Sequence, residues 1–342
     1  MLSDILRRTK RDLYKTLDHL DASIKESYNK PRILYIAPHL STGGMPQYLY
    51  KKIDIFYEQA EIFCIQYNNT AEIYNVQRNL IRDKLGNRFW CLGENKAEIL
   101  QLIDDICPDI IHFDDFPEFF IKKNIIDSIY SLARPYLIFE TCHSSSISID
   151  SKIYKPDKFI MVNEWMVDKF APLGIPLDIL EYPIENFIRP DRAESLTALG
   201  LDPNKKHIIN VGLFAPGKNQ KELIEYAKEL ISLPIEFHFI GNMAPNFIEY
   251  WKPLLADLPV NCSLWGELAD VDSFYKSADL FVFNSIWELN PITIKEALSW
   301  NLPILMRRLP SYKDSYDNME LVNFMRDKEY NIETIKKILD II

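Results

Sequence analysis

From Arg32 onward the chain alternates short, continuously apolar segments with amphipathic ones, and it does so in two successive series. The first series reads RILYIAP, EIFCIQY, RFWCL, DIIHF, YLIFETC, KFIMVN and DILEYP. Helical stretches fall between these segments: MPQYLYKKIDIF, then about 70–84, 96–106 and one running through Ile129. Segments with no polar face are what parallel strands covered on both sides require. Their alternation with helices predicts a doubly wound α/β layer. After a polar stretch at 186–203, with Pro190, Gly200 and Pro203, the pattern restarts. HIINVGL, IEFHFIG, VNCSLWG, LFVFNS and PILMR are its strands, with helices from Asn219, near Phe247, near Val271 and from Pro291. The expected division is 31–188 and 189–325, preceded by an amphipathic helix over 1–30 and followed by a helix over 326–342. In such sheets ligands bind outside the carboxyl ends of the strands. Two of them facing each other would line a cleft with loops 39–44, 141–146, 212–218, 241–245, 266–270 and 285–291.

The chain's 342 residues suffice for about two domains of ~150 residues. A net charge of −10 argues against a nucleic-acid partner. Five scattered cysteines with no CxxC pair read as reduced thiols of a cytoplasmic protein. No apolar run reaches the ~18 residues of a membrane span, and the start lacks the apolar core of a signal peptide. In the first 28 residues Leu2, Ile5, Leu6, Leu13, Leu17, Leu20, Ile24 and Tyr28 form a helical stripe, beside Arg7, Arg8, Lys10, Arg11 and Lys15. That stripe either packs on the body or another copy, or lays the segment peripherally on an anionic membrane face. Five acidic residues on its polar side weaken the second option.

The stretch Asn284–Pro303, NSIWELNPITIKEALSWNLP, concentrates the chemistry. Glu288 leaves a strand, and Glu296 sits on the next helix with seven residues between them. Pro291 suits the first helical turn, where its missing N–H costs nothing. Free N–H groups and the helix dipole there favour an anion such as a phosphate. The carboxylates could grip hydroxyls of a sugar or ribose. Glycine is scarce, yet six of the ten (Gly43, Gly44, Gly212, Gly217, Gly241, Gly266) fall at or just after predicted strand ends. That placement serves tight turns or close approach to a ligand.

These residues resemble the retaining glycosyltransferases of the two-Rossmann GT-B type, in the large family-four group (glycosyl transferases group 1). The resemblance rests on Glu288 and Glu296 at their spacing, NVGLFAPGKNQKELIEYA at 210–227, FIGN at 239–242, LWGEL at 264–268 and SADLFVFNS at 277–285. STGG at 41–44, PDIIHF at 108–113 and the strand ending in His143 match more loosely. It implies an α/β fold of two Rossmann-like domains facing across a cleft, the first binding the acceptor and the second the donor. It implies transfer of a sugar, with retention, from a nucleotide-diphosphate sugar to a glycan or glycolipid hydroxyl. Lys218 would meet the donor diphosphate and Glu296 the ribose. Glu288, with the backbone of Leu289, Asn290, Pro291 and Ile292, would hold the sugar and diphosphate. Gly43 and Gly44 would let the first-domain loop approach the donor, and Gly212 and Asn242 would line the donor loops. Leu268, with Gly266, would border the base. His143, Lys218 and Glu288 would be the catalytic set. A UDP-sugar is the expected co-substrate, with neither metal nor further cofactor.

Two departures stand out. The family's Arg after the first strand of the donor domain is Leu213 here, with Phe214 next. Loss of one ionic hydrogen bond, about 1.5–3 kcal/mol, would weaken donor binding roughly tenfold to a hundredfold. Arg307 and Arg308 are candidates to replace it. The glycine usual in the sugar-binding loop is replaced by Leu289-Asn290-Pro291. His112, Asp114 and Asp115 have metal-ligand chemistry, but aspartates after a strand more often turn the chain or cap a helix. The alternatives are a GT-B epimerase or hydrolase of nucleotide sugars, and a non-catalytic GT-B subunit that binds a partner protein.

Overall fold

The computed structural model describes residues 30–41, 43–68, 75–93, 98–144, 146–312 and 314–341. The helix expected over 1–30, and the starts of those expected at 70 and 96, lie outside these residues. The chain divides into two compact units between Pro183 and Ile184.

The first unit runs β1 (Arg32–Ala37), α1 (Gly44–Phe56), β2 (Glu61–Gln66), α2 (Val76–Leu85), β3 (Phe89–Cys91), α3 (Glu98–Ile106), β4 (Ile110–Asp114), α4 (Lys123–Ile129), β5 (Leu137–Thr141), β6 (Lys158–Met161), α5 (Glu164–Phe170) and β7 (Leu177–Ile179). Its seven strands form one parallel sheet in the order β3-β2-β1-β4-β5-β6-β7. Leu34, Ile36, Ile65, Ile111, Phe113 and Ile138 of the strands pack with Ile99, Leu102 and Ile103 of α3 and Ile125, Ile126 and Ile129 of α4.

The second unit runs α6 (Arg192–Leu199), β8 (Lys206–Val211), α7 (Gln220–Glu229), β9 (Ile235–Ile240), α8 (Ile248–Ala256), β10 (Cys262–Gly266), α9 (Asp272–Ser277), β11 (Leu280–Phe283), α10 (Ile292–Ser299), β12 (Ile304–Met306), β13 (Val322–Phe324) and α11 (Lys328–Ile338). Its six strands are again parallel, in the order β10-β9-β8-β11-β12-β13. The unbroken apolar runs are explained by the two cores. Phe281 and Phe283 go to one face with Ile294, Ala297 and Leu298 of α10. Leu280 and Val282 go to the other with Leu223, Ile224 and Ala227 of α7. Alternate side chains of one strand thus serve opposite helix layers.

Three expectations about organisation change. The division comes five residues before the expected 188/189 boundary, because Ile184 and Phe187 pack on the second core. The Phe187 and Trp300 rings lie 4.5 Å apart, and the Glu185 N–H donates to Ser299 Oγ at 2.8 Å. The polar stretch taken as a linker contains α6. It buries only Leu196, so it carries no apolar periodicity, yet Asp191 caps its start and Gly200 ends it in the left-handed region. The C-terminal helix is not a separate piece. Ile332, Ile335 and Leu339 complete the α7 core, and Asp327 caps the start of the helix. β13 and α5, both short, were not anticipated.

A hydrogen-bond chain crosses β8 and β9. Trp265 Nε1–H, which can only donate, lies 3.2 Å from His238 Nδ1, so that nitrogen accepts. The proton of His238 is therefore on Nε2, 2.9 Å from His207 Nδ1, and His207 Nε2 donates to the Asp202 carbonyl at 2.8 Å. Both rings are fully buried and neutral, and burial, then each other's proximity, lowers His238 to about 4. Burial likewise lowers His207.

Two predictions follow from this packing. An unfolded histidine titrates near 6.5, so between pH 6.5 and about 4 the unfolded chain takes up a proton that folded His238 refuses. The stability this group contributes is complete above pH 6.5 and declines as pH falls, by about 3 kcal/mol in all. Urea unfolding at pH 7, 6 and 5 should show that decline, and His238→Gln should make it shallower. Gly241 has φ +145°, and a Cβ there would stand 2.1 Å from the Gly212 carbonyl oxygen. Gly241→Ala should lose more than about 2 kcal/mol in the same measurement.

Candidate active site

In the second unit β8 and β11 are adjacent although distant in sequence, and this is where the strand order reverses. Their ladder holds only the pairs Ile208–Leu280 and Ile209–Phe281. Beyond them the strands part, and side chains take over. Asn210 Nδ2 donates to the Val282 carbonyl at 2.9 Å and to Asn284 Oδ1 at 3.2 Å. Asn284 in turn donates to the Asn219 carbonyl. The crevice so opened is bordered by the loop after β8, from Gly212 to Asn219, and the loop after β11, from Asn284 to Pro291.

Both loops are pinned. Gly212 N–H donates to Ile240 O at 2.8 Å, Phe214 N–H to Asn242 O at 2.9 Å, and Gln220 Nε2 to Leu213 O at 2.9 Å. A 3-10 turn over Pro216–Lys218 ends at Asn219, left-handed at φ +55°. It brings Lys218 Nζ onto Glu288 Oε1. Ile286 N–H donates to Gly217 O at 2.9 Å, and Ser311 Oγ donates to the Glu288 carbonyl at 2.7 Å. Lys218 is about a third exposed and Glu288 12%. Two residues 70 positions apart thus form one ion pair at the mouth of the crevice, open enough for an anion to compete for the ammonium.

Glu296 is elsewhere in the same unit. It stands on α10 and accepts from Tyr275 OH at 3.0 Å. Burial pushes its carboxyl up to about 7, Tyr275 opposes that, and Asp272 adds to it. The two glutamates of the spacing signature therefore hold different partners. Pro291 sits one position before the first turn, at the cap of α10, where no side chain caps the helix. Leu289 and Ile292 are buried. Asn242 is 1% exposed, and neither amide atom has a hydrogen-bond partner. An unpaired buried amide costs about 1–3 kcal/mol. Leu268 packs against the α9–α10 core rather than standing free.

Both arginines offered as a replacement at Leu213 already hold a carboxylate. Arg307 Nη2 is 2.6 Å from Glu222 Oε2, an oxygen that Asn219 also reaches at 2.7 Å. Arg308 pairs with Asp317 at 2.7 Å and lies 4.0 Å over Phe324.

In the first unit, exposed Gly43 (φ +116°) and Gly44 open α1. One turn on, the Tyr48 ring meets His143 edge-on at 5.2 Å, so α1 and the loop after β5 share one end of the sheet. His143 Nε2 lies 3.6 Å from Asp114 Oδ1. Asp114 is not free for a metal, since Lys52 Nζ is bound to it at 2.6 Å. Among the described residues, His207, Glu236 and His238 are close enough to share an ion. The tautomers set by Trp265 and Asp202 would require a deprotonated imidazole there. Lys52, Asn210, Asn284 and Tyr275 were not anticipated. The signal for Lys52 was its place in the apolar stripe Tyr48, Leu49, Ile53, Phe56 of α1.

Residues 191–341 match the family described as glycosyl transferases group 1. The chain is 29% identical over 172 residues to an alpha-galactosylglucosyldiacylglycerol synthase of Streptococcus pneumoniae, covering 46% of this chain and 45% of that protein. It is 28% identical over 144 residues to a processive diacylglycerol alpha-glucosyltransferase of Acholeplasma laidlawii, covering 41% of each. The chain thus spans less than half the length of the curated relatives it matches. Its fold resembles the crystal structure of Anabaena Alr3699/HepE in complex with UDP-glucose, at TM-score 0.70 and 13% identity over 90% of both chains. Two parallel α/β units of this kind make up the GT-B fold, and the second of them is the part that matches the family of glycosyl transferases group 1.

Proposed function

We propose that this protein transfers a sugar, with retention, from a nucleotide-diphosphate sugar to a hydroxyl of a glycolipid or glycan. The observation that carries this is the Lys218–Glu288 pair at the β8–β11 crevice, within the family-matched unit. Lys218 takes the diphosphate as a point charge and releases Glu288 to accept sugar hydroxyls. The first turn of α10 adds N–H groups and its dipole. Glu296 holds the ribose. The anomeric C–O bond to the diphosphate breaks, a new C–O bond forms to the acceptor, and the acceptor's proton passes to the leaving phosphate. Charge stabilisation and positioning carry such a reaction, without an enzyme nucleophile. A UDP-sugar is the proposed donor, and no metal or additional cofactor is invoked. The first unit supplies His143 and the acceptor loops.

The titration of Glu296 gives this reading a test. Ribose hydroxyls bind the carboxylate form, and the free site's carboxyl titrates at about 7. A diphosphate diester does not titrate near neutrality, so UDP-glucose affinity by calorimetry should rise severalfold from pH 6 to pH 8. Glu296→Gln should abolish that slope, and Lys218→Ala should weaken binding roughly tenfold to a hundredfold. A pH-independent affinity in the wild type would remove Glu296 from the ribose site. Leu213 favours a second reading, a non-catalytic subunit. Thermal-shift screening of UDP-, GDP- and ADP-sugars with no response to any would select it.

The names of both these curated relatives contain diacylglycerol, a membrane lipid. We therefore place the acceptor at a membrane surface, reached through the basic segment 1–28. No helix among the described residues is long and apolar enough to cross a membrane. The full chain should sediment with vesicles rich in anionic lipid and be released by salt. Equal binding to neutral vesicles would count against this.

A further inference from the structure

The first unit buries an ion pair that the proposed chemistry does not use. Lys52 on α1 and Asp114 at the end of β4 are 1% and 0% exposed. Lys52 Nζ is 2.6 Å from Asp114 Oδ1 and 4.8 and 5.2 Å from the ring centres of Tyr35 and Tyr48. Such a pair is no cheaper than apolar residues of the same volume, and often less stable. Its place in the sheet gives it a use. β1 and β4 are last paired at Ile36–Phe113, so Asp114 is the first residue beyond that ladder at the point where the strand order reverses. It still pairs with Thr141 on β5, which holds its backbone still. Asp115 follows at φ +105°, a sparsely populated conformation for a residue other than glycine.

The charge of Asp114 is directed at His143. Burial raises its carboxyl, but Lys52, then His143, outweigh this and keep it ionised. His112 draws none of this charge away, since its Nε2 meets Thr141 Oγ1 at 2.8 Å and lies 3.4 Å from Lys52 Nζ. Burial holds it neutral. Tyr48 OH is committed to the Leu180 carbonyl at 2.8 Å. Asp114 Oδ2 and His143 Nε2 are both buried without a hydrogen-bond partner. Nε2 stands 3.6 Å from Oδ1, within ion-pair reach.

We infer that Lys52 and Asp114 are positioning residues for His143. Lys52 fixes Asp114, and Asp114 draws the imidazole proton onto Nε2 and leaves Nδ1 as the ring's acceptor for a substrate hydroxyl. This rests on the reading of His143 as part of a sugar-transfer site. Nitrogen NMR of the full-length protein at pH 8, with the His143 signal assigned through His143→Gln, reads the tautomer directly. The wild type should carry its proton on Nε2.

Either single substitution leaves a buried charge unpaired, so the informative variant is Lys52→Met with Asp114→Asn. Folded, it should lose the tautomer preference and at least tenfold in kcat, with the KM for UDP-sugar unchanged because the donor loops lie in the second unit. An unchanged tautomer in the folded double variant overturns the inference. So does an unchanged kcat, provided the wild type transfers sugar. If the double variant does not fold, a wild-type proton on Nδ1 overturns it equally. A wild type without transferase activity would sink the functional reading and leave the tautomer measurement to decide this one.

Discussion

Parallel strands joined by helices must at some point leave the sheet in opposite directions, and at that point the backbone ladder cannot continue. In the second unit it stops after two residue pairs between β8 and β11. The buried amides of Asn210 and Asn284 then hold the strands at their parting. The loops that leave on either side carry Lys218 and Glu288 toward each other. The same thing happens in the first unit, where β1 and β4 part after Ile36–Phe113 and Asp114 follows at once. In each unit, charged side chains gather where main-chain hydrogen bonding runs out.

The two units treat their charges differently. In the second, the Lys218–Glu288 pair is partly open, with about a third of Lys218 exposed, so an anion can compete for the ammonium. Asn242 and the uncapped start of α10 add polar groups that lack side-chain partners. In the first, Lys52 and Asp114 are sealed from water. Opening that pair would expose each to the full cost of an unpaired buried charge. A half-open pair suits a group that changes partner during binding. A sealed pair suits one that must hold another residue in a single state.

Other polar clusters tie elements of the second unit together. His207 and His238 lie in metal-ligand proximity, yet Trp265 and Asp202 fix their protons and make them links in a chain between strands. Glu222 gathers Asn219, Tyr226 and Arg307, which keeps the loop beside Lys218 in shape.

Periodicity and local turn chemistry determined most of the fold before any coordinates. Continuous apolar runs such as LFVFNS, flanked by amphipathic segments, admit little but parallel strands under two helix layers, because both strand faces need cover. The order of strands was not written there, nor was α6, whose single buried leucine leaves no periodic trace. The sequence also singled out Glu288 and Glu296 through residue type and spacing, and Lys218 and His143 through the resemblance. Which of these meet was decided only by tertiary structure. Lys218 and Glu288 are joined across 70 residues, while Glu288 and Glu296, the closer pair in sequence, hold separate partners. Lys52 looked like one polar residue in an apolar stripe until β4 placed Asp114 beside it. A linear pattern records which face a side chain takes. It does not record what the next strand brings to that face, and in a sheet whose neighbours are far apart in sequence, that partner sets the charge and the role.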